Sequence, residues 1–346
     1  MQILKEDISV PQQSHVARRL ATALTAAALV AIASIAHAQT VRIAKQFGIS
    51  YLPLTMMEQK NLLEQHGKRL GLDLKTEWIR LVSGAPMNEA IISGNLDFAS
   101  GGVGPLLTIW GRTRGNIGVK GVAAINSMPL YLNTINPDVK SIKDFTDKDR
   151  IALPAVKVSI QAITLQMAAE QAFGPGQHGK LDSLTVSLSH PDGMSSMMSG
   201  KSEITAHFSS APFQYQQLDD KRVRKILDSY QVLGGPHTFN AVWTTSKFYN
   251  ENRKVVEAFI AALDDVMGQI AQDPAAAAAL WIKAENSRLA PDYVENIIRS
   301  RENEWTTVPK QITTYAEFMN RVGVLPVKPA NWQDVFFPDT HKLPGS

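Results

Sequence analysis

The chain has 346 residues, with 35 Lys plus Arg against 32 Asp plus Glu, and no cysteine. That length suits more than one lobe around buried cores, and a formal charge of +3 is too even to mark a nucleic-acid binder. The missing thiols exclude disulfides, a lipid-modified cysteine, and any thiolate nucleophile or metal ligand.

Arg18-Arg19 precede an uncharged apolar run from Leu20 to Ile35, which closes on Ala36-His37-Ala38. A charged region, an apolar region and an Ala-x-Ala site form the pattern of a secretory signal peptide. The run is shorter than the roughly 20 residues that span a bilayer. Cleavage after Ala38 is expected, which sets residues 1–38 apart from the fold; an uncleaved anchor helix is the alternative. The paired arginines leave general and twin-arginine export both open. Without a cysteine to lipidate, the exported product is expected to be soluble and periplasmic.

Strand and helix signals alternate from Val41 to about Leu227, which predicts an α/β fold with mainly parallel sheets flanked by helices. A first strand is expected at 41–45 and a helix from about Leu52 to His66, stopping at Gly67. A strand at 72–81, a helix at 86–93, a strand at 97–100, a helix from Pro105 to about Arg114 and an apolar strand at 117–125 follow. Near Asn126-Ser127-Met128-Pro129 the chain leaves this first lobe. A second series comprises a strand at 150–153, a helix at 159–173, a strand near 184–188, a helix to Ser199 and a strand at 203–206. The run 219–225 mixes both signs and reads as a solvated face. Gly234-Gly235-Pro236 is a breaker, and the strand expected at 238–244 returns to the first lobe. Two crossings make a hinge. The expected division is therefore 39–126 and 238–346 in lobe 1 and 127–237 in lobe 2.

Beyond Glu251 the chain reads as helical. Val255, Val256, Phe259, Ile260, Leu263, Val266, Met267 and Ile270 share one helical face. Asp273-Pro274 is a cap followed by proline at the first helical position, and Pro291 opens another helix. Four prolines in the last 24 residues (Pro326, Pro329, Pro338, Pro344) predict an irregular surface tail.

One element is written twice. Ser93-Gly94-Asn95-Leu96-Asp97-Phe98 leads through Gly101-Gly102-Val103-Gly104 to Pro105, and Ser199-Gly200-Lys201-Ser202-Glu203-Ile204 leads through Ser209-Ser210-Ala211 to Pro212. Each closes a helix with Ser-Gly, runs through an acidic residue into a strand, and offers small residues before a proline. Helix starts of this kind favour negative charge, because their free N–H groups are unpaired and point outward. In open α/β sheets such loops lie at the carboxyl ends of strands, where ligands bind. Each serine alone also reads as a plain helix cap. Catalytic motifs are scarce: there is no Gly-x-Ser-x-Gly elbow, no phosphate loop and no His-Glu-x-x-His, and Gly102-x-Gly104 lacks the third glycine of a dinucleotide site. His66, His178, His190, His207, His237 and His341 are spread singly without metal-ligand spacing and read as surface or loop residues. No catalytic residue, metal site or cofactor is expected.

With Gly94-Asn95-Leu96-Asp97-Phe98 before a Gly-rich turn and Pro105, and its echo at Gly200 to Pro212, the exported chain resembles the substrate-binding proteins of ABC importers for nitrate, sulfonate and taurine. The resemblance implies a two-lobed periplasmic binding protein fold of type II, monomeric, with a two-strand hinge. Such a protein closes on a small solute and docks an inner-membrane permease. It also places the cleft on Tyr51, Ser83, Gly84, Gly102, Val103, Asn126, Lys157, Ser159, Gln161, His207, Ser209 and Asn240. In this reading Tyr51 lays its ring on an apolar part of the solute, and Lys157 supplies positive charge. Gln161, Asn240 and a neutral His207 offer hydrogen bonds. These segments contain no arginine, whose planar fork serves strong anion clamps, which favours a larger organic anion of sulfonate or carboxylate type over nitrate. Two alternatives remain. The same scaffold resembles desulfinases and thiamine-pyrimidine synthases, which rely on cysteine and are therefore disfavoured; a sensory solute-binding subunit would use the same closed form as an importer's receptor.

Overall fold

The structure is a computed structural model that describes residues 38–346; the expected signal segment lies almost wholly outside them. Among the described residues ten strands run in chain order as β1 Gln39–Lys45, β2 Leu74–Arg80, β3 Ala99–Gly102, β4 Lys120–Ala124, β5 Tyr131–Thr134, β6 Arg150–Leu153, β7 Thr185–Ser187, β8 Ile204–Phe208, β9 Arg224–Asp228 and β10 Asn240–Thr244. They form a β1-β2 pair, a three-stranded sheet β3-β10-β4 and a five-stranded sheet β7-β6-β8-β5-β9. Every strand of the last sheet comes from residues 131–228, while β10 returns to lie between β3 and β4.

The sheets are mixed rather than mainly parallel. β1 with β2, and β6 with β7 and β8, run parallel, but β10 opposes both its neighbours and β5 opposes β8 and β9. The reversal has a topological cause. β5 and β10 follow the two passages of the chain between sheets, so each enters its sheet without the helical crossover that makes a neighbour parallel. At these passages Ser127 bridges both Thr238 and Glu304. Phe239 N–H donates to the Asn126 carbonyl, and Ser127 and Glu304 exchange two backbone hydrogen bonds of 2.8 Å.

Three expectations need correction in their details. The helix expected at 52–66 is two helices, Leu52–Gln59 and Leu62–Arg69, because Asn61 adopts the left-handed conformation (φ 49°). Gly67 does not stop the second one; a Cβ there would lie 2.5 Å from Leu74 Cδ1, so glycine is what lets the helix lie against β2. The tail is irregular but not superficial. Trp332, Phe336 and Phe337 are buried, Phe337 stacks on Tyr249 at 3.8 Å, and its N–H donates to the Gly121 carbonyl at the edge of β4. Prolines prevent a regular ladder there without preventing aromatic burial.

The helix Arg253–Gln272 buries Val255, Val256, Phe259, Leu263, Val266 and Ile270, with Ile260 and Met267 half-buried at its margin. Phe259 stacks on Phe98 at 4.4 Å, tying this helix to the strand that enters β3. Asp273 accepts from Ala276 N–H and Pro274 follows it, as the cap signal predicts. The helix Ile312–Arg321, with Tyr315 fully buried, and the strands β5 and β9 carry no signal that the sequence reading detected. β9 begins at the end of the mixed-sign run and pairs only with β5; an edge strand tolerates Arg224 and Lys225 that an inner strand would not.

Asp97 in the repeated element is structural. Its carboxylate accepts from Arg42 N–H at 2.8 Å and from Arg42 Nε and Nη2 at 3.1 and 3.0 Å, joining β1 to the approach of β3. Removing it leaves a backbone N–H and a guanidinium unpaired. Asp97→Ala is expected to lower the unfolding free energy by about 2 kcal/mol, read as a lower urea midpoint at unchanged m-value. A loss below about 0.5 kcal/mol, the range of ordinary surface changes, contradicts this role.

Candidate functional site

Several helices begin at the ends of strands or just past them, and three of these starts stand close together. The helix Gly84–Ile92 follows β2, with extended Ser83 as its N-cap and no side-chain cap bond. The helix Val103–Thr113 starts directly from Gly102, the last residue of β3. The helix Ile160–Phe173 follows β6; Ser159 caps it by accepting from Ala162 N–H, while its Oγ donates to the Ala155 carbonyl. The first N–H groups of a helix have no partner within it. Gly84, Gly102, Ser159 and Ile160 all line one cavity.

That cavity has two walls. Gln46, Tyr51, Gly84, Gly102, Pro105, Phe239 and Asn240 form one, and Pro154, Ser159, Ile160, Gln161 and His190 form the other. The walls nearly touch. A Cβ on Gly102 would lie 2.6 Å from Ile160 Cγ2, and one on Gly104 would lie 2.7 Å from the Val158 carbonyl oxygen. Gly102 has φ −65°, which any residue adopts, so contact rather than conformation demands glycine. Only about 20 Å³ is left for the centres of water molecules, room for about one water.

The lining carries no charged side chain. Asn240 is fully buried; its Oδ1 accepts from Tyr51 Oη at 3.2 Å, and its Nδ2 donates to nothing. A buried donor without an acceptor costs about 1–3 kcal/mol, and a solute oxygen would relieve it. Burial raises the pKa of Tyr51, which keeps its hydroxyl protonated. The Gln161 amide and His190 Nε2 stand 3.2 Å apart, and His190 Nδ1 stands 3.1 Å from His207 Nε2. Burial lowers the pKa of His190 to about 3, and burial together with His190 lowers that of His207 well below its usual value, so both rings are neutral near pH 7.

Six of the twelve expected site residues line this cavity: Tyr51, Gly84, Gly102, Ser159, Gln161 and Asn240. The other six do not. Ser83 is buried at the N-cap position of its helix without a side-chain cap bond, and Val103 packs in the core. Asn126 holds the wall by donating to the Ser50 carbonyl and accepting from Asn240 N–H. Ser209 is buried, its N–H donating to the Tyr131 carbonyl. Lys157 is exposed at φ 63°, away from the lining, so the expected positive charge is absent from it. His207 lies one ring behind the surface, and His190 takes the front position. His190, His207 and His237 are buried, contrary to the expectation of surface or loop histidines. Nothing in the segment around helix His190–Ser199 signalled this, since residues distant in sequence form the pair. Among the described residues no group of three or more His, Asp or Glu is placed to hold a metal ion. No described helix is long and apolar enough to cross a membrane.

No protein-family model matches the chain, and no curated protein matches it in sequence. Solved structures do match. The alkanesulfonate-binding protein SsuA from Xanthomonas axonopodis pv. citri, bound to MOPS, aligns with a TM-score of 0.69 at 18% identity over 87% of this chain and 99% of that one. The periplasmic nitrate-binding protein NrtA from Synechocystis PCC 6803 aligns with a TM-score of 0.68 at 14% identity, over 86% and 85%. The CA3427 gene product of Candida albicans, which exhibits the generic periplasmic binding protein fold, aligns with a TM-score of 0.66 at 15% identity, over 86% and 96%. The chain has the periplasmic binding protein fold.

The buried histidines set a pH dependence. Burial also lowers the pKa of His237, to about 4, although its contact with the Thr238 carbonyl works the other way. The unfolded chain protonates each ring near pH 6.5, and the folded chain resists until far lower pH. The stability present above about pH 6.5 is therefore lost as pH falls. Between pH 7 and 5 each such histidine is expected to remove about 2 kcal/mol of unfolding free energy. Urea titrations of His237→Gln should show a pH slope smaller by about one proton than the unsubstituted chain; an equal slope contradicts a neutral buried His237.

Proposed function

We propose that this chain is a solute-binding receptor that closes on a small organic anion with a sulfonate- or carboxylate-like head group. The observation that carries the reading is convergence. Three helix starts and the unpartnered Asn240 Nδ2 meet on one cavity whose lining has donors and no charge. Helix starts attract negative charge through their aligned peptide dipoles, and a low-dielectric site strengthens that attraction. An anion held this way needs no arginine.

The lobes of this receptor are 39–126 with 238–346, and 127–237. The alignment of 125–127 with 238–240 and 304 supports a hinge at those passages. Solute pockets are commonly about 300–1,000 Å³, and the present 20 Å³ belongs to a shut form, so entry needs the walls to part. Micromolar affinity, about 8 kcal/mol, suffices for delivery to an ABC permease of the inner membrane, with the protein working in the periplasm as a monomer. The fold shared with sulfonate- and nitrate-binding proteins supports this reading.

Calorimetry with methanesulfonate, taurine, MOPS, benzoate and nitrate tests it. The expected result is micromolar binding of at least one organic anion, recovered unaltered by mass spectrometry, with a smaller radius of gyration on binding. A solute returned chemically changed, or no binder in the panel, contradicts it. A second outcome concerns closure. Gly104→Ala places a methyl against the Val158 carbonyl only when the walls meet, so affinity should fall about tenfold, or 1.4 kcal/mol, at an unchanged thermal midpoint. Unchanged affinity would mean that these walls do not close on solute.

A further inference from the structure

Behind the cavity runs a chain of buried side chains with one fixed end. The Gln214 carbonyl can only accept, and Asn133 Nδ2 lies 2.9 Å from it, so that atom is the amide nitrogen. Its second hydrogen goes to Gln217 Oε1, also at 2.9 Å. The other end of the Gln217 amide is therefore its nitrogen, which donates to His207 Nδ1 at 2.6 Å. A neutral imidazole that accepts at one nitrogen donates at the other, and His207 Nε2 donates to His190 Nδ1 at 3.1 Å. The proton of His190 is then on Nε2, the nitrogen that faces Gln161. Two N–H groups do not face each other, so the Gln161 amide turns its oxygen to His190 and leaves its NH₂ for the cavity that both residues line.

We propose that this chain from the Gln214 carbonyl to His190 sets the polarity of the solute site, holding His190 Nε2–H as the donor to the Gln161 oxygen and so turning the Gln161 NH₂ to the solute, so that the site takes oxygen acceptors and rejects donors. The inference deepens the receptor reading and rests on it for the identity of the guest. Selectivity then originates in residues that touch no solute: Asn133, Gln217 and His207. Gly193 belongs with them, since a Cβ there would stand 2.9 Å from His207 Nε2 and displace the ring. Burial keeps both rings uncharged, so the relay that orients the Gln161 donor is the same across the ordinary pH range. A neutral donor pays no desolvation of a charge when the site shuts.

The experiment is long-range proton–nitrogen NMR on the full chain labelled at histidine nitrogen, with His190→Gln and His207→Gln to assign signals. At pH 7 both rings should be neutral and protonated at Nε2 alone. Gln217→Glu supplies a carboxylate that only accepts, and should move the proton of both rings to Nδ1. Gln217→Met removes the donor and should give mixed tautomers, which serves if the glutamate variant fails to fold. In calorimetry with MOPS and methanesulfonate, Gln217→Glu should weaken binding at least tenfold although no lining residue has changed. A His190 protonated at Nδ1 in the unsubstituted chain, or a tautomer pattern unchanged in both Gln217 variants, overturns the proposal, as does unweakened binding. If the unsubstituted chain binds neither probe, the receptor reading fails, while the tautomer pattern still decides the polarity.

Discussion

The approach of two helix starts through glycine is the constraint on which the site depends. Gly102 and Gly104 let the start of Val103–Thr113 meet Val158 and Ile160 at a distance that any Cβ would forbid. This contact brings the dipoles of separate helices to a single place. One helix start attracts an anion weakly at an exposed surface; several aimed into a shut, uncharged cavity act without solvent screening. The same contact leaves almost no volume, so a site of this build works only if it opens.

Electrostatics in the cavity follows from that closeness. With no lysine or arginine in the lining, hydrogen-bond donors must come from peptide groups and amides. Such donors have fixed direction, and direction has to be enforced by neighbours. Asn126 positions Asn240 through its backbone N–H, Tyr51 occupies the Asn240 oxygen, and the Gln217–His207 pair stands behind His190. Buried polar networks of this kind are favourable when satisfied and costly when broken.

Much of the scaffold was legible in the sequence. Alternating apolar runs and helix punctuation located most elements to within a few residues, and the heptad-like face of Arg253–Gln272 needed no structure to be seen. The elements that escaped did so for separate reasons. β5 enters directly from the passage between sheets, and β9 is masked by charges that suit an edge strand. The buried tail carries prolines, which signal irregular backbone but say nothing of whether Trp332 and Phe336 are covered. Site residues divided similarly. Glycines and caps at strand-to-helix turns, such as Gly84, Gly102 and Ser159, announce themselves by local chemistry. His190 does not, because nothing within its own segment shows that His207 and Gln161 will surround it.

The sequence by itself determined the α/β alternation, the thiol-free chemistry and the small-residue loops at helix starts. These are local properties, set by periodicity and by what each residue type allows its own backbone to do. Only the tertiary structure decided which loops share a cavity, that Lys157 stays outside it, that two histidines pair, and which strands run antiparallel. Those outcomes depend on contacts between residues far apart in the chain, and long-range packing chooses among partners that the local pattern leaves equivalent.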